Sequence, residues 1–310
     1  MIRSRTGGPG VARALRPAEW PRLALMAPAT ALLIAMVAVP VAMLAWFSLL
    51  SGPGVSGAVT GREWAVMLDR PQLYGGLLLR SLALGLGATA LCILIAWPTA
   101  WALSRHVAPR TRSAILALLI IPHLTSALLL IYAMYVLIAP GGPMMTALAA
   151  LGLAESRDTI LFTRWAVLLM LTYMYLPFMV MALFAAIERI EPTVLDAARS
   201  LGASGWARFR HIVLPMTLPG LMTGLVIVFT PAAGSFLEAR ILGGANGMMF
   251  GTLIAEQISR ANNQPRAAAM AITLLAVILL LLGVFRLLAM RAFPGAMRRP
   301  GAHGSGGWGG

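Results

Sequence analysis

The residues whose types and spacing suggest chemistry are concentrated between positions 188 and 217. This stretch has acidic, small, basic and aromatic side chains, with Asp196 in its first half and Trp206 and Phe209 in its second. The pattern predicts two short helices, with small side chains on one face and aromatic side chains on the other. We call residues 188–217 the elbow. On charge alone, an ordinary basic amphipathic loop at a membrane surface would explain it.

Local signals predict how the elbow folds. Pro192 suits the first turn of a helix, where its missing N–H is not needed. Gly202 is able to adopt the left-handed conformation that ends a helix. Ser204 is a suitable N-cap for a second short helix. Because proline is disfavoured in helix interiors, Pro215 and Pro219 predict that this second helix stops before the next long apolar run.

The elements that must position the elbow are transmembrane helices. The 310 residues are 59% apolar and only 11% charged, whereas soluble domains carry about a quarter charged residues. An apolar helix needs about 20 residues to cross a bilayer, and six stretches reach that length. They are Leu23–Leu50, Gly75–Ser104, Ser113–Ile138, Arg164–Ile187, Leu218–Phe236 and Arg266–Leu288. The predicted fold class is therefore an all-α integral membrane protein with six transmembrane helices.

Arginines predict the orientation of these helices, since basic residues concentrate on the cytoplasmic side. Sixteen of the 24 basic residues lie in the N-terminal tail, after the second span, in the elbow or near the C-terminus, against seven in the three alternate loops. Both termini and the elbow are therefore predicted to be cytoplasmic. The predicted organisation is a tail (1–22), a six-span transmembrane domain (23–290) and a second tail (291–310), with both tails disordered. The net charge of +14 fits this topology, so no nucleic-acid partner is expected.

The elbow resembles a known signature. An acidic residue and two alanines, then three residues and a glycine, then nine residues and Ile-x-Leu-Pro form the EAA motif of type I ATP-binding cassette (ABC) importer permeases. The matching positions here are Asp196, Ala197, Ala198, Gly202, Ile212, Leu214 and Pro215. Asp196 departs from the usual Glu by one methylene. The later Gly243-Gly244 and Asn263–Ala269 segments resemble spermidine/putrescine permeases, although permeases for opines, iron(III) or sulfate-type anions have similar segments.

The resemblance implies a set of partners. The elbow would dock on an ATPase subunit, with Asp196 in an ion pair, Gly202 setting the turn, and Trp206 and Phe209 filling an apolar pocket. ATP and Mg would bind to the partner ATPase dimer, and this chain would bind no cofactor. It has no lysine and hence no Gly-x-x-x-x-Gly-Lys-Ser/Thr phosphate-binding loop. A second, homologous permease would complete the pore, and an extracytoplasmic binding protein would deliver the solute.

Contacts with the solute are predicted from aromatic residues, because cations favour aromatic faces. The candidates at membrane depth are Trp97, Trp101, Tyr132, Tyr135, Tyr173, Tyr175, Phe229 and Phe236. Packing between helices is the competing interpretation of each. Glu238 and Glu256 are expected in an outer loop, either solvated or touching the solute or its binding protein.

Two other classes of protein fit the sequence less well. An intramembrane serine protease would need a serine and a histidine facing each other; Ser204 lies in the elbow, and the last span has no histidine. A secondary transporter would usually show an internal repeat and charged residues at the membrane midplane. Neither feature is evident.

Overall fold

Twelve α-helices account for most of the chain in the computed structural model, which describes residues 20–52, 57–153, 155 and 158–293. Their bounds are α1 Trp20–Leu49, α2 Arg62–Asp69, α3 Pro71–Arg105, α4 Pro109–Ile120, α5 Ala127–Ile138, α6 Pro143–Ala150, α7 Arg164–Glu188, α8 Pro192–Ser200, α9 Gly205–Arg208, α10 Leu214–Ala233, α11 Phe250–Ser259 and α12 Gln264–Ala292.

Six helical stretches among the described residues are long and apolar enough to span a membrane. They are Met26–Leu49, Pro71–Arg105, Ala127–Ala150, Arg164–Glu188, Gly205–Ala233 and Gln264–Ala292. The predicted number of spans is confirmed. The predicted disordered tails fall mostly outside the described residues. In the parts of these tails that the structure describes, residues 20–22 and 291–292 are helical.

The predicted third span, Ser113–Ile138, is wrong. The structure has α4, a 3-10 turn at Ile121–Leu124 and then α5, and the stretch of membrane-spanning length runs from Ala127 to Ala150. Pro122 lies in the 3-10 turn, and the backbone at Thr125 is extended. Proline alone does not explain the break, because α3, α7 and α10 continue through Pro98, Pro177 and Pro231. Around Pro122 the backbone forms a 3-10 turn and then becomes extended at Thr125, so the α-helix ends there.

The centre of the bundle is α7, which packs mainly against α3 and α10. Met170, Met179 and Leu183 on α7 are fully buried. Glycines allow the close approach of neighbouring helices, as is common in membrane bundles: a Cβ on Gly220 of α10 would lie 2.3 Å from the Cβ of Ala186 on α7. By contrast, α1 packs mainly on α12 and leaves most of its apolar surface exposed. Such a surface suits contact with lipid or another subunit.

Candidate functional site

The first half of the elbow folds as its local signals predict. Helix α8 begins with Pro192 at its N-terminus and is followed by Gly202, whose φ of +81° lies in the left-handed region. The N–H of Gly202 donates to the carbonyl of Arg199 (3.0 Å), and that of Ala203 donates to the carbonyl of Ala198 (3.0 Å). These two bonds form a Schellman motif, which satisfies the carbonyls at the end of α8. Ala197 and Ala198, the two alanines of the EAA motif, lie on α8 before this turn.

The second half of the elbow begins as predicted but continues differently. The Oγ of Ser204 accepts a hydrogen bond from the N–H of Ala207 (3.2 Å), so the predicted N-cap is confirmed. The helix then passes through a π-helical turn, Phe209–Val213, directly into α10. The predicted stop before Pro215 is therefore wrong. A proline ring collides with the carbonyl four residues earlier in a regular α-helix, and the wider turn before Pro215 makes room for it.

This continuity joins the elbow rigidly to a membrane span. Ile212 is half-buried in the π turn, and Leu214 and Pro215, also half-buried, begin α10. The N–H of Leu214 donates to the carbonyl of Phe209, which closes the turn. A force applied to α9 is therefore transmitted along an unbroken helix into α10.

Aromatic side chains connect the elbow to α3. The ring of Phe209 stacks on Trp206 with centroids 5.5 Å apart and meets Trp97 edge-on, also at 5.5 Å. Beside them is a cleft of about 460 Å³. Its lining combines residues of α3 with residues of the elbow: Trp97, Pro98, Trp101, Leu195, Gly205, Arg208, Phe209 and Val213. Trp97 and Trp101, predicted as solute contacts, thus lie against the elbow.

The outward surface of the elbow is apolar as well as charged. Leu201 is 88% exposed and Trp206 is 68% exposed. Asp196, Ala197 and Gly202 are exposed beside them, and Ala198 is half-buried. A Cβ added to Gly202 would have no atom within 4 Å beyond its own chain neighbours. The arrangement therefore presents one carboxylate and two large apolar side chains around a turn with no bulk at its tip.

Two arginines tie the base of the elbow to the bundle. Arg105, at the end of α3, donates to the carbonyls of Ile187 (3.4 Å) and Ile190 (2.8 Å), where α7 ends. Arg112 on α4 forms an ion pair with Glu188 (2.9 Å). Sequence reasoning used these arginines only to predict orientation. For Arg105, its position in the last turn of α3, where cations are favoured, was the signal available.

The remaining predicted solute contacts are scattered. Tyr132, Tyr173 and Phe236 are 56%, 40% and 45% exposed. Tyr135 packs edge-on against Phe162 with centroids 6.4 Å apart. Tyr175 is half-buried at the junction of three core clusters.

Phe229 is fully buried in the core that joins α3, α10, α11 and α12. Its surroundings favour packing over contact with solute. His123 also has a structural partner, because its Nε2 lies 2.6 Å from the carbonyl oxygen of Met174.

Glu238 does not lie in a solvated outer loop as expected. It is 7% exposed, and Ser235, which donates a hydrogen bond to its Oε2, is 6% exposed. Its neighbour Ala239 packs in a cluster with Leu84 of α3 and Val167 of α7. Glu256 is half-buried on α11. Sequence reasoning missed the burial of Glu238 because the segment that carries it lies between two spans and looks like a loop.

Comparisons with known proteins agree on one family. Residues 93–294 match the family model described as "Binding-protein-dependent transport system inner membrane component". The spermidine/putrescine transport system permease protein PotB of Salmonella typhimurium (strain SL1344) is 37% identical over 223 residues, which cover 72% of this chain and 77% of the relative.

Solved structures show the same fold. A bacterial ABC transporter involved in the import of the acidic polysaccharide alginate matches with a TM-score of 0.66 and 18% identity, covering 88% of this chain and 96% of that chain. The same kind of transporter, in complex with an alginate pentasaccharide-bound periplasmic protein, matches with a TM-score of 0.64 and 18% identity over 88% of this chain and 94% of that chain.

Proposed function

The chain belongs to the family of binding-protein-dependent transport system inner membrane components, the permease subunits of type I ABC importers, and on that premise we propose that it imports polyamines of the spermidine and putrescine type. The observation that carries the proposal is the 37% identity to a spermidine/putrescine permease over most of both chains. The match extends well beyond the elbow, which many permeases for other solutes share.

We propose that the elbow docks on a separate ATPase subunit. Large apolar side chains exposed together usually mark an interaction site, and Leu201 and Trp206 are exposed on either side of the Gly202 turn. Asp196 lies exposed on α8, where it is free to pair with a basic residue of the partner. ATP and Mg then belong to the partner ATPase dimer, and this chain binds no cofactor.

The helix that runs from α9 into α10 supports a mechanism for coupling. When the two ATPase subunits close, they move the elbow, and α10 and α7 follow because they are packed together. A second, homologous permease completes the pathway, and an extracytoplasmic solute-binding protein delivers the polyamine. The excess of arginines on the elbow side supports the proposal that both termini lie in the cytoplasm, on the inner face of an inner membrane.

The experiment that tests the function is uptake by the complete transporter. The chain is expressed with the second permease, the ATPase and the binding protein of the same transporter in cells that lack other polyamine importers, and uptake of labelled spermidine, putrescine and sulfate is measured. The tagged chain is also used to recover the ATPase. We expect ATP-dependent uptake of both polyamines but not of sulfate, and recovery of the ATPase. Uptake of sulfate alone would overturn the solute, and absence of the ATPase from the recovered complex would overturn the docking role.

A further inference from the structure

A buried carboxylate lies between α10 and α11. Glu238 is among the few charged residues that the structure buries, and Oε2 accepts a hydrogen bond from the Ser235 hydroxyl. Neither ion pair found among the described residues, Arg112–Glu188 or Arg266–Glu63, includes Glu238. No donor among the described residues forms a hydrogen bond with Oε1 of Glu238, and this oxygen is not fully enclosed by protein. One neutral donor therefore faces a group that carries a full charge when ionised.

Such a carboxylate is unfavourable unless something compensates for it. Removal of an ionised carboxylate from water costs more than a single hydroxyl returns, so buried charges are normally paired. Ionisable residues within a membrane domain are rare and tend to mark pathways for ions or solutes.

The backbone around Glu238 supports a pathway at this point. After α10 ends at Ala233, the chain forms a π-helical turn, Ala239–Gly243, followed by Gly244 with a φ of +53°. Irregular backbone among membrane spans is tolerated where it is buried in protein or lines a water-filled cavity, and π turns are frequent at functional sites. This segment therefore has the backbone expected of a pathway wall.

An aromatic ring lies in the same part of the bundle as the carboxylate. Tyr175 of α7 packs against the cluster joined by Leu237 and also against the cluster that contains Ala239, the two neighbours of Glu238 in sequence. The face of an aromatic ring attracts cations, and the attraction grows when the site is shielded from water. Glu238 and Tyr175 together provide the two kinds of partner that an alkylammonium group prefers.

We propose that Glu238 binds an ammonium group of the transported polyamine, with Ser235 orienting the carboxylate and the Tyr175 ring beside it. The inference rests on the proposed function, because it requires a cationic solute. Glu238 is a solute-binding residue on this proposal, and Ser235 is a positioning residue.

Glu238→Gln is the decisive variant, since it removes the charge and keeps the shape. Uptake of spermidine and the thermal stability of the purified complete transporter are measured for this variant, for Glu238→Asp and for the control Asp69→Asn, which removes an exposed carboxylate at the end of α2. If the carboxylate serves the solute, Glu238→Gln lowers uptake at least tenfold and leaves the melting temperature equal or higher, because an unpaired buried charge has been removed. Glu238→Asp retains part of the uptake, and Asp69→Asn remains near wild type.

Two outcomes would overturn the proposal. Uptake by Glu238→Gln within twofold of wild type would show that the charge is not needed. A parallel fall in uptake and melting temperature would make Glu238 a structural residue. Failure of the proposed function looks different, because the wild-type transporter then imports no polyamine at all, whatever residue occupies position 238.

Discussion

The two connections at the ends of α10 differ in which side chains they expose and which they bury. The elbow, before α10, exposes Leu201 and Trp206 at 88% and 68%. The segment after α10 buries Glu238 at 7% exposure and fully buries Leu242. One connection therefore carries apolar side chains on its surface, and the other carries a carboxylate in its interior.

Each arrangement is unfavourable for an isolated chain, and each indicates a missing partner of a different kind. Exposed apolar area is stabilised when another protein covers it. A buried carboxylate is stabilised when a cation reaches it. We therefore expect substitutions in the elbow to change assembly more than stability, and substitutions on the opposite side of the bundle to change stability or solute transport more than assembly.

The largest expected difference in stability between the two sides of the bundle comes from the two ion pairs. Arg266 pairs with Glu63 at 2.7 Å, and the Glu63 side chain is only 4% exposed. Arg112 pairs with Glu188 on the elbow side, where Glu188 is 46% exposed. Loss of one partner of a buried pair costs about 3–5 kcal/mol, whereas an exposed pair contributes about 0–1 kcal/mol. Arg266→Gln should therefore lower the melting temperature of the purified transporter much more than Arg112→Gln.

A double variant checks the cause. Glu63→Gln combined with Arg266→Gln removes both charges, so it should recover part of the stability lost in Arg266→Gln. If the double variant is as unstable as the single one, packing around Arg266 rather than the unpaired carboxylate explains the loss.

Trp206 should show the opposite behaviour. Aromatic side chains at the centre of an interface contribute about 2–4 kcal/mol when they are truncated. Trp206→Ala should therefore weaken ATPase binding by at least tenfold, measured as the ATPase concentration needed for half-maximal recovery, with little change in melting temperature. Trp165 is equally exposed at 64% but begins α7 on the other side of the bundle, so Trp165→Ala is the matched control. Equal losses from both variants would contradict docking at the elbow.

Substitutions that disturb the close packing around α10 should change the melting temperature by an intermediate amount. A Cβ added to Gly220 would lie 2.3 Å from the Cβ of Ala186 and 2.9 Å from the carbonyl oxygen of Ala182. A Cβ added to Gly283 on α12 would have nothing within 4 Å. Overpacking typically costs about 1–3 kcal/mol, while alanine is favoured over glycine in an open helix by about 1 kcal/mol. Gly220→Ala should lower the melting temperature and Gly283→Ala should leave it unchanged or raise it. Equal melting temperatures would show that α7 and α10 separate easily.

Local signals predicted parts of the elbow well, and long-range packing explains what they missed. Gly202 and Ser204 were interpreted correctly because a left-handed turn and an N-cap depend on a few neighbouring residues. The continuation through Pro215 depends on a π turn that propensities do not predict. The contact of Trp97 with Phe209 and the burial of Glu238 require helices from distant parts of the chain. Sequence alone therefore indicated the turn and the cap of the elbow but did not reveal the burial of Glu238.

The smallest expected effect comes from substitutions at Gly202, the tip of the elbow. They distinguish a requirement for the left-handed backbone from a requirement for a residue without a side chain. At a φ of +81°, Gly202 has open space around it, so a substitution acts on the backbone conformation. A β-branched residue there is a strong outlier, whereas Asn tolerates the left-handed region; the penalty for an ordinary L-residue is about 1–2 kcal/mol. Gly202→Val should reduce ATPase recovery and uptake more than Gly202→Asn does, with equal amounts of chain in the membrane. If Asn is as harmful as Val, the docking partner rejects any side chain at this tip, and close approach rather than the turn is what the glycine provides.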